Sequence, residues 1–231
     1  MRVTAIVLAA GTGDRMQHRI KKPYISLLGQ PILVHTLRVL SGVPAIQDII
    51  VTVYPGEERR CEKEIIQTLH ARTGITVVAG GERRQDSVRN ALTHAPETSA
   101  LVLIHDGARP LITQPLIERA IRAAQKKKAV SLAVPVKDTI TMVSKEDMLI
   151  TRVLPRDSLY IIQTPQVFTK EIILEAHRKA FAEGFQGTDD ASLVEHFGRP
   201  VTVIMGSYEN IKITTQEDLL LAAALMKGRQ Q

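Results

Sequence analysis

The alternation of short apolar runs with segments of helical periodicity constrains this chain more than any other feature. The apolar, often β-branched runs are VTAIVLA, DIIVTVY, ITVVAG, ALVLIHD and VSLAVPV. The segments between them are ILVHTLRVL, ERRCEKEIIQTLHA, DSVRNALTHA and PLIERAIRAAQKK. Strands that are apolar throughout and separated by helices indicate a parallel sheet covered on both faces. We therefore predict an α/β fold with a Rossmann-like open, mostly parallel sheet and helices on both faces.

The pattern changes after Val136. The segment KDTITMVSKEDMLITRVLP has two short stretches of alternating polar and apolar residues around a turn from Ser144 to Asp147. This predicts a β-arm at about residues 137–156 that projects from the fold. Beyond it the pattern predicts a strand at YIIQTP, a helix from about Lys170, a short helix after Gly187, a strand at VTVIM and a last helix. With no linker or repeat, we expect residues 1–231 to form a single domain.

Composition limits the class of protein. The chain has 231 residues, of which 44% are hydrophobic, enough for a sizeable core. No apolar run approaches the ~18 residues of a membrane span, and the N-terminus lacks the regions of a signal peptide. A single cysteine, Cys61, excludes an internal disulfide and a cysteine-based zinc cluster. We therefore expect a cytoplasmic protein that does not bind membranes.

The charge balance points to anionic partners. Lys and Arg number 30 against 24 Asp and Glu, a formal charge of +6. Aromatic residues make up only 3% and there is no Trp, so a stacking surface for single-stranded nucleic acid is poorly supplied. We expect small anionic substrates rather than nucleic acid.

A glycine-rich loop follows the first strand. Gly11 and Gly13 lead to Arg15, but Met16 stands where a dinucleotide-binding loop has its third glycine. The second strand ends in Tyr54 and a proline, with no acidic residue for a ribose, which counts against NAD. The loop of phosphate-binding NTPases is also absent. On this feature alone, a structural turn and an anion-binding loop both remain open.

Two later strands end in similar residues. Gly80 and Gly81 follow the third strand, with Ser87 near the start of the next helix. Asp106 ends the fourth strand and is followed by Gly107 and Arg109. Because right-handed crossovers bring the carboxyl ends of parallel strands to one edge, we expect every strand to end there and these residues to form a nucleotide bed.

Together the motifs resemble a known family. In order, the chain carries LAAGTGDRM, Lys22, GGERRQDSV, HDGARP, VPVKDT, QTPQ, GTDDAS and NIKIT. Over about Thr4 to Leu220 this resembles the 2-C-methyl-D-erythritol 4-phosphate cytidylyltransferases. The resemblance implies transfer of CMP from CTP to methylerythritol phosphate, which gives CDP-methylerythritol and pyrophosphate. It also implies Mg²⁺ and a homodimer in which each arm completes the neighbouring site.

The resemblance also implies residue roles. The catalytic residues would be Arg15, Lys22, Arg156 and Lys212. The nucleotide would contact Ala9, Ala10, Gly11, Gly13, Gly81, Ser87 and Gly107. The acceptor phosphate would contact Asp106, Arg109, Thr139, Arg156, Thr188 and Lys212. Asp106 would also hold the metal, and Arg156 and Thr139 would act across the dimer interface.

Some of these assignments have open alternatives. The family often has Lys-Gln or Lys-Leu where this chain has Lys22-Pro23, and Lys21 stands beside it. Spacing from the glycine loop favours Lys22, but Lys21 stays possible. Ser87 and Thr188 are also typical helix caps. Lys212, in the strand-like NIKIT, is also typical of an edge strand.

Two other functions compete. Ribitol 5-phosphate cytidylyltransferases share the fold and the CTP donor. Their sequence pattern, however, resembles Asp-Ala-Val-Arg-Pro at the fourth strand and Thr-Asp-Ala-Cys later in the chain. HDGARP and GTDDASL fit the methylerythritol family better. The basic charge alone would also suit a non-catalytic anion-binding protein.

Overall fold

Eleven strands and seven α-helices are seen in the computed structural model, which describes residues 1–11, 20–69, 71 and 73–229. The strands are β1 (Val3–Ala9), β2 (Ser26–Leu27), β3 (Gln30–Pro31), β4 (Ile46–Val53), β5 (Gly74–Ala79), β6 (Leu101–Asp106), β7 (Ala129–Pro135), β8 (Thr141–Val143), β9 (Ile150–Val153), β10 (Tyr160–Thr169) and β11 (Thr202–Met205). The helices are α1 (Ile32–Ser41), α2 (Glu58–Glu64), α3 (Arg84–Leu92), α4 (Gln114–Lys127), α5 (Lys170–Glu183), α6 (Asp190–His196) and α7 (Gln216–Gly228).

The central sheet has seven strands in the order β11-β7-β10-β6-β1-β4-β5. All neighbours are parallel except at β10, which runs antiparallel to both β6 and β7. The predicted mostly parallel α/β sheet is therefore confirmed. The expectation that every strand ends at one edge is wrong for β10, which begins at that edge instead.

Both faces of the sheet are buried, which explains why its strands are apolar throughout. Ala5 and Val7 belong to the core on one side, where α1 and α4 pack, whereas Ile6 belongs to the core on the other side, with α3 and α5. In β6, Leu103 and Ile104 divide in the same way. Successive strand residues face opposite sides, so each side needs its own helical layer.

Strands β8 and β9 form a separate two-stranded antiparallel sheet within residues 137–156. Its connection is longer than the predicted turn at Ser144–Asp147. The backbone N–H of Ser144 donates to the carbonyl oxygen of Leu149, and that of Met148 donates back to Ser144. The loop therefore spans residues 144–149, and the strands are correspondingly short.

Three sequence expectations on element boundaries are wrong. The helix predicted over ERRCEKEIIQTLHA ends at Glu64 and is followed by a short 3₁₀ helix, Ile66–Thr68. Helix α3 begins at Arg84, two residues before the predicted DSVRNALTHA. The segment NIKIT is not a strand; one backbone hydrogen bond, from Ile213 to the carbonyl of Ala108, fixes it beside the end of β6.

None of the helices in the described residues has the length and apolarity that a membrane span requires.

Candidate functional site

A cavity of about 730 Å³ opens at the carboxyl edge of the sheet. It lies where β1, β4, β5 and β6 end, and Lys22 and Pro23 also line it. The lining residues are Leu8, Ala9, Ala10, Gly11, Lys22, Pro23, Ile32, Thr52, Tyr54, Pro55, Gly80, Gly81, Glu82, Arg83, Arg84, Ser87, Asp106, Gly107, Ala108 and Lys212. The strand ends that the sequence singles out therefore share one cavity.

The glycines at this edge permit close packing. A Cβ on Gly107 would meet Leu33 Cδ1 and the carbonyl oxygen of Leu8, each at 3.0 Å. A Cβ on Gly80 would overlap Ala10 and approach Ser87 Oγ to 2.9 Å. The N–H groups of Gly80 and Gly107 donate to strand carbonyls, at 2.7 and 2.9 Å. These two glycines thus bring the strand ends together, and their amides are not free donors for an anion.

Ser87 shapes the turn before α3. Its hydroxyl accepts the N–H of Gly81 at 3.0 Å and donates to the carbonyl of Arg83 at 3.1 Å. Ser87 is 3% exposed and lies inside the helix, whose N-cap is Arg83. The alternative interpretation of Ser87 as the helix cap is therefore wrong.

Asp106 is the electrostatic centre of the cavity. Lys212 Nζ lies 2.9 Å from its Oδ2, while Arg84 Nε and Arg109 Nε each lie 3.5 Å from a carboxylate oxygen. Burial alone would raise the pKa of Asp106, but Lys212, Arg84 and Arg109 outweigh it and hold that pKa well below its usual value. The carboxylate is thus ionised and surrounded by three cations.

Arg109 lies beneath the cavity and does not line it. Its side chain is buried, and Nη1 donates to the carbonyl of Asn210 at 2.8 Å. Burial lowers the pKa of Arg109, although Asp106 opposes this. Where the sequence predicts a contact to a substrate, the geometry instead has Arg109 supporting Asp106 and the segment that carries Lys212.

The two adjacent lysines occupy different surroundings. Lys22 lines the cavity. Lys21 pairs with Glu57 at 3.0 Å and lies 3.9 Å above the centre of the Tyr54 ring. The geometry therefore favours Lys22 as the residue that faces a bound anion.

Three predicted residues lie outside the cavity. Arg156 follows the arm and donates to the carbonyl of Lys137 at 3.0 Å, and Thr139 is exposed at the base of the arm. Thr188 is exposed and does not cap α6; Asp189 does, through a reciprocal capping box with Ser192. Within one copy of the chain these three side chains do not join the others.

The predicted Gly13 and Arg15 lie outside the described residues.

Arg84 is the principal residue that sequence reasoning missed. It lines the cavity beside Arg83 and Glu82, and its guanidinium contacts Asp106. The signal was present, because the quoted motif GGERRQDSV carries two arginines one residue after the glycines. Nothing in the sequence shows whether Arg83 or Arg84 contacts Asp106, because this depends on which way the first turn of α3 faces.

The cavity suits a metal that arrives with its ligand. In the ranges that the structure describes, no three His, Cys, Asp or Glu side chains are grouped to hold an ion. Two carboxylates, Asp106 and Glu82, line the cavity. Mg²⁺ commonly takes one or two carboxylates and completes its shell with phosphate oxygens and water. The donor set therefore fits Mg²⁺ held mainly by a polyphosphate.

Comparison with known proteins identifies close relatives. Residues 3–228 match the model of the 2-C-methyl-D-erythritol 4-phosphate cytidylyltransferase family. A protein of that name from Pelotomaculum thermopropionicum is 45% identical over 229 residues, covering 99% of this chain and 96% of the relative. The namesake from Geotalea uraniireducens is 47% identical over 230 residues, covering 99% and 98%.

Solved structures are also similar. The crystal structure of 4-diphosphocytidyl-2C-methyl-D-erythritol synthase from Anaerococcus prevotii has a TM-score of 0.86 at 36% identity, covering 98% of this chain and 96% of that one. The 2-C-methyl-D-erythritol 4-phosphate cytidylyltransferase from Thermus thermophilus has a TM-score of 0.79 at 32% identity, covering 98% and 100%.

The surroundings of Asp106 predict a pH dependence of stability. Because its pKa is lower in the folded chain than the ~3.9 of an unfolded aspartate, its ionisation stabilises the fold above that value. The free energy of unfolding should therefore fall as the pH is lowered through about 4. Chemical denaturation at a series of pH values measures this. Asp106→Asn should show a shallower fall, and an unchanged slope would contradict the prediction.

Proposed function

The chain belongs to the 2-C-methyl-D-erythritol 4-phosphate cytidylyltransferase family, and we propose that it joins CMP from CTP to 2-C-methyl-D-erythritol 4-phosphate by direct in-line attack. A phosphate oxygen of the acceptor forms a bond to the α-phosphorus of CTP. The bond from that phosphorus to the β-phosphate oxygen breaks, and pyrophosphate leaves with the electron pair. The products are CDP-methylerythritol and pyrophosphate.

The observation that carries this proposal is the concentration of positive charge at one sheet edge. Both reactants are anions, so their approach is opposed by repulsion, and the barrier falls chiefly through positioning and charge neutralisation. Lys22, Arg84 and Lys212 line one cavity, and Arg84 and Lys212 contact the Asp106 carboxylate within it. An ionised phosphate needs no general base, so the reaction does not require a catalytic triad.

The two substrates would occupy different parts of the cavity. Lys22, with Arg15 from the preceding loop, would neutralise charge that develops at the α-phosphorus. The nucleotide would lie along Ala9, Ala10 and Gly11. It would also contact Gly13, as the sequence predicts. Small residues on this path leave room for it.

The opposite side of the nucleotide would be enclosed by Gly81, Ser87 and Gly107. These residues follow β5 and β6 and line the same cavity. Backbone groups fixed by the Ser87 hydrogen bonds can discriminate the exocyclic group of a base, because they cannot rotate to suit another pattern.

The acceptor phosphate would bind near Lys212 and Asp106, with Arg109 holding Asp106 from below. Thr188 would contact the acceptor from the segment before α6. Mg²⁺ would be held by Asp106 and by phosphate oxygens of CTP, and when bound it supplies neutralisation of the triphosphate charge.

Thr139 and Arg156 would act in a second copy of the chain. The arm and the adjoining start of β10 expose large apolar side chains, including Met148 at 75% and Ile150 at 67%. The other exposed members are Ile140, Met142, Val143, Leu149, Val153, Tyr160, Ile161 and Ile162. Contiguous exposed apolar residues indicate an interface. We propose a homodimer in which the arm at residues 137–156 of each single-domain chain completes the site of its partner. The cytoplasmic location stays a prediction.

The proposed reaction is tested by incubating the chain with CTP, Mg²⁺ and an acceptor and measuring pyrophosphate release. Methylerythritol phosphate should support release, whereas ribitol 5-phosphate should not. Release with ribitol phosphate alone would overturn the acceptor assignment. Release with neither acceptor, from folded protein, would favour a non-catalytic anion-binding protein.

Replacing Lys22 should separate it from its neighbour. Lys22→Ala should lower kcat by about 10²- to 10³-fold, because it removes a cation that acts in the transition state. Lys21→Ala is the matched control. It should change kcat by less than about twofold, since Lys21 is engaged in a partly exposed ion pair with Glu57. Steady-state kinetics and thermal unfolding of both variants decide this, and equal losses of kcat would contradict it.

Completion of the site across the dimer is tested by mixing two defective variants. In a mixed dimer of Arg156→Ala and Lys212→Ala, one site has both residues intact. Random mixing should therefore restore about one site in four. The control mixes Arg156→Ala with the double variant, which regenerates no intact site. Absence of recovery in the first mixture would show that Arg156 does not act in the partner's site.

A further inference from the structure

A chain of buried charges extends from the cavity wall into the helical layer behind it. Arg84 Nη1 donates to Asp190 Oδ2 at 2.6 Å, and His177 Nε2 lies 3.0 Å from the other oxygen, Oδ1. Asp190 is 0% exposed and His177 only 3%. Neither lines the cavity, so the mechanism above gives them no role.

Arg84 lies between two carboxylates at unequal distances. Its contact to Asp190, at 2.6 Å, is a short charge-assisted hydrogen bond, whereas its nearest approach to Asp106 is 3.5 Å. Of the cationic side chains that the structure describes, Lys212, at 2.9 Å, is the closest to Asp106. Arg84 approaches Oδ1 of Asp106 and Lys212 contacts Oδ2, so the two cations share the charge of the carboxylate rather than a single oxygen. Asp190 binds the guanidinium that would otherwise take a larger part of that charge.

The position of Asp190 is itself fixed. His177 contacts the second carboxylate oxygen of Asp190, so the Asp190 side chain cannot rotate away without losing that contact.

The segments around the ion pair are also fixed. The start of α6 is held by Gln166, which donates to Asp189 at 2.7 Å. Gln85, next to Arg84, donates to the carbonyl of Phe185 and accepts the N–H of Gly187. Helix α3 and the segment before α6 are thus joined beside the ion pair.

We propose that Asp190, supported by His177, is a positioning residue that holds Arg84 away from Asp106, so that Asp106 stays paired with Lys212 and Lys212 stays directed at the acceptor phosphate. This rests on the proposed function. Without the charge of Asp190, Arg84 moves to Asp106, the only other carboxylate it contacts among the described residues. Arg84 then neutralises more of the Asp106 charge, the pairing of Lys212 with Asp106 weakens, and use of the acceptor suffers.

A double-mutant cycle tests the proposal. Asp190→Asn, close in shape but uncharged, should lower kcat/KM for methylerythritol phosphate about tenfold, as loss of a supporting contact commonly does. In an Arg84→Ala background the same change should cost less than about twofold, because the residue through which it acts is gone. An equal factor in both backgrounds would overturn the proposal.

The control for a general loss of stability is Ile173→Val. Ile173 is a buried core residue on α5, the helix that carries His177, and its side chain has no polar atom that could join the ion pairs. It should leave kcat/KM within about twofold of the parent. A loss equal to that of Asp190→Asn would mean that destabilisation alone explains the effect. If Asp190→Asn does not fold, His177→Ala replaces it in the same cycle with the same expected non-additivity.

A crystal structure of Asp190→Asn without substrates provides a readout independent of activity. The distance from Arg84 Nε to Asp106 should shorten from 3.5 Å to about 2.9 Å, the length of a charge-assisted hydrogen bond. An unchanged distance would overturn the proposal. If the parent chain releases no pyrophosphate, the proposed function fails, and this structure still decides whether Asp190 holds Arg84 away from Asp106.

Discussion

The buried carboxylate of Asp106 is the interaction on which the rest of the site depends. A buried carboxylate without partners is costly, and three cations gathered without an anion would repel one another. Asp106 resolves both problems, since Lys212, Arg84 and Arg109 each approach one of its oxygens. The cations are thereby held at one sheet edge before any substrate arrives. Their three charges exceed those of Asp106 and of Asp190, which also binds Arg84, so the assembly is suited to receive phosphates.

The reversed direction of β10 stabilises this assembly. Because β10 begins at the edge where β6 ends, Thr164 accepts the backbone N–H of Asp106 at 3.0 Å. Asn210 then connects β10 to the residues around Asp106. Its side-chain amide donates to the backbone carbonyl of Thr164 at 2.9 Å, and its own backbone carbonyl accepts a hydrogen bond from Arg109. A fully parallel sheet would have placed the other end of β10 here. The antiparallel strand therefore supports the segment that carries Lys212.

Local pattern was sufficient for much of the fold and for part of the site. Each of the apolar runs became a strand of the central sheet, because burial on both faces requires continuous apolar sequence. Asp106 was found because it ends such a run. The NIKIT segment was misread because its alternation resembles a strand, yet the backbone hydrogen bond from Ile213 to Ala108 does not extend into a ladder with a neighbouring strand. The long helix predicted from residue 58 ends at Glu64 and is followed by a 3₁₀ helix, a change that the apolar periodicity does not report.

The sequence by itself determined the α/β class, the sheet edge at which the cavity lies and the family, since each depends on residue order and local periodicity. The tertiary structure alone decided which neighbouring side chains face the cavity. Lys22 lines it while Lys21 pairs with Glu57, and Arg84 enters the wall because Asp190, distant in sequence, binds its guanidinium. Such choices depend on contacts between segments that only folding brings together, and no local pattern encodes them.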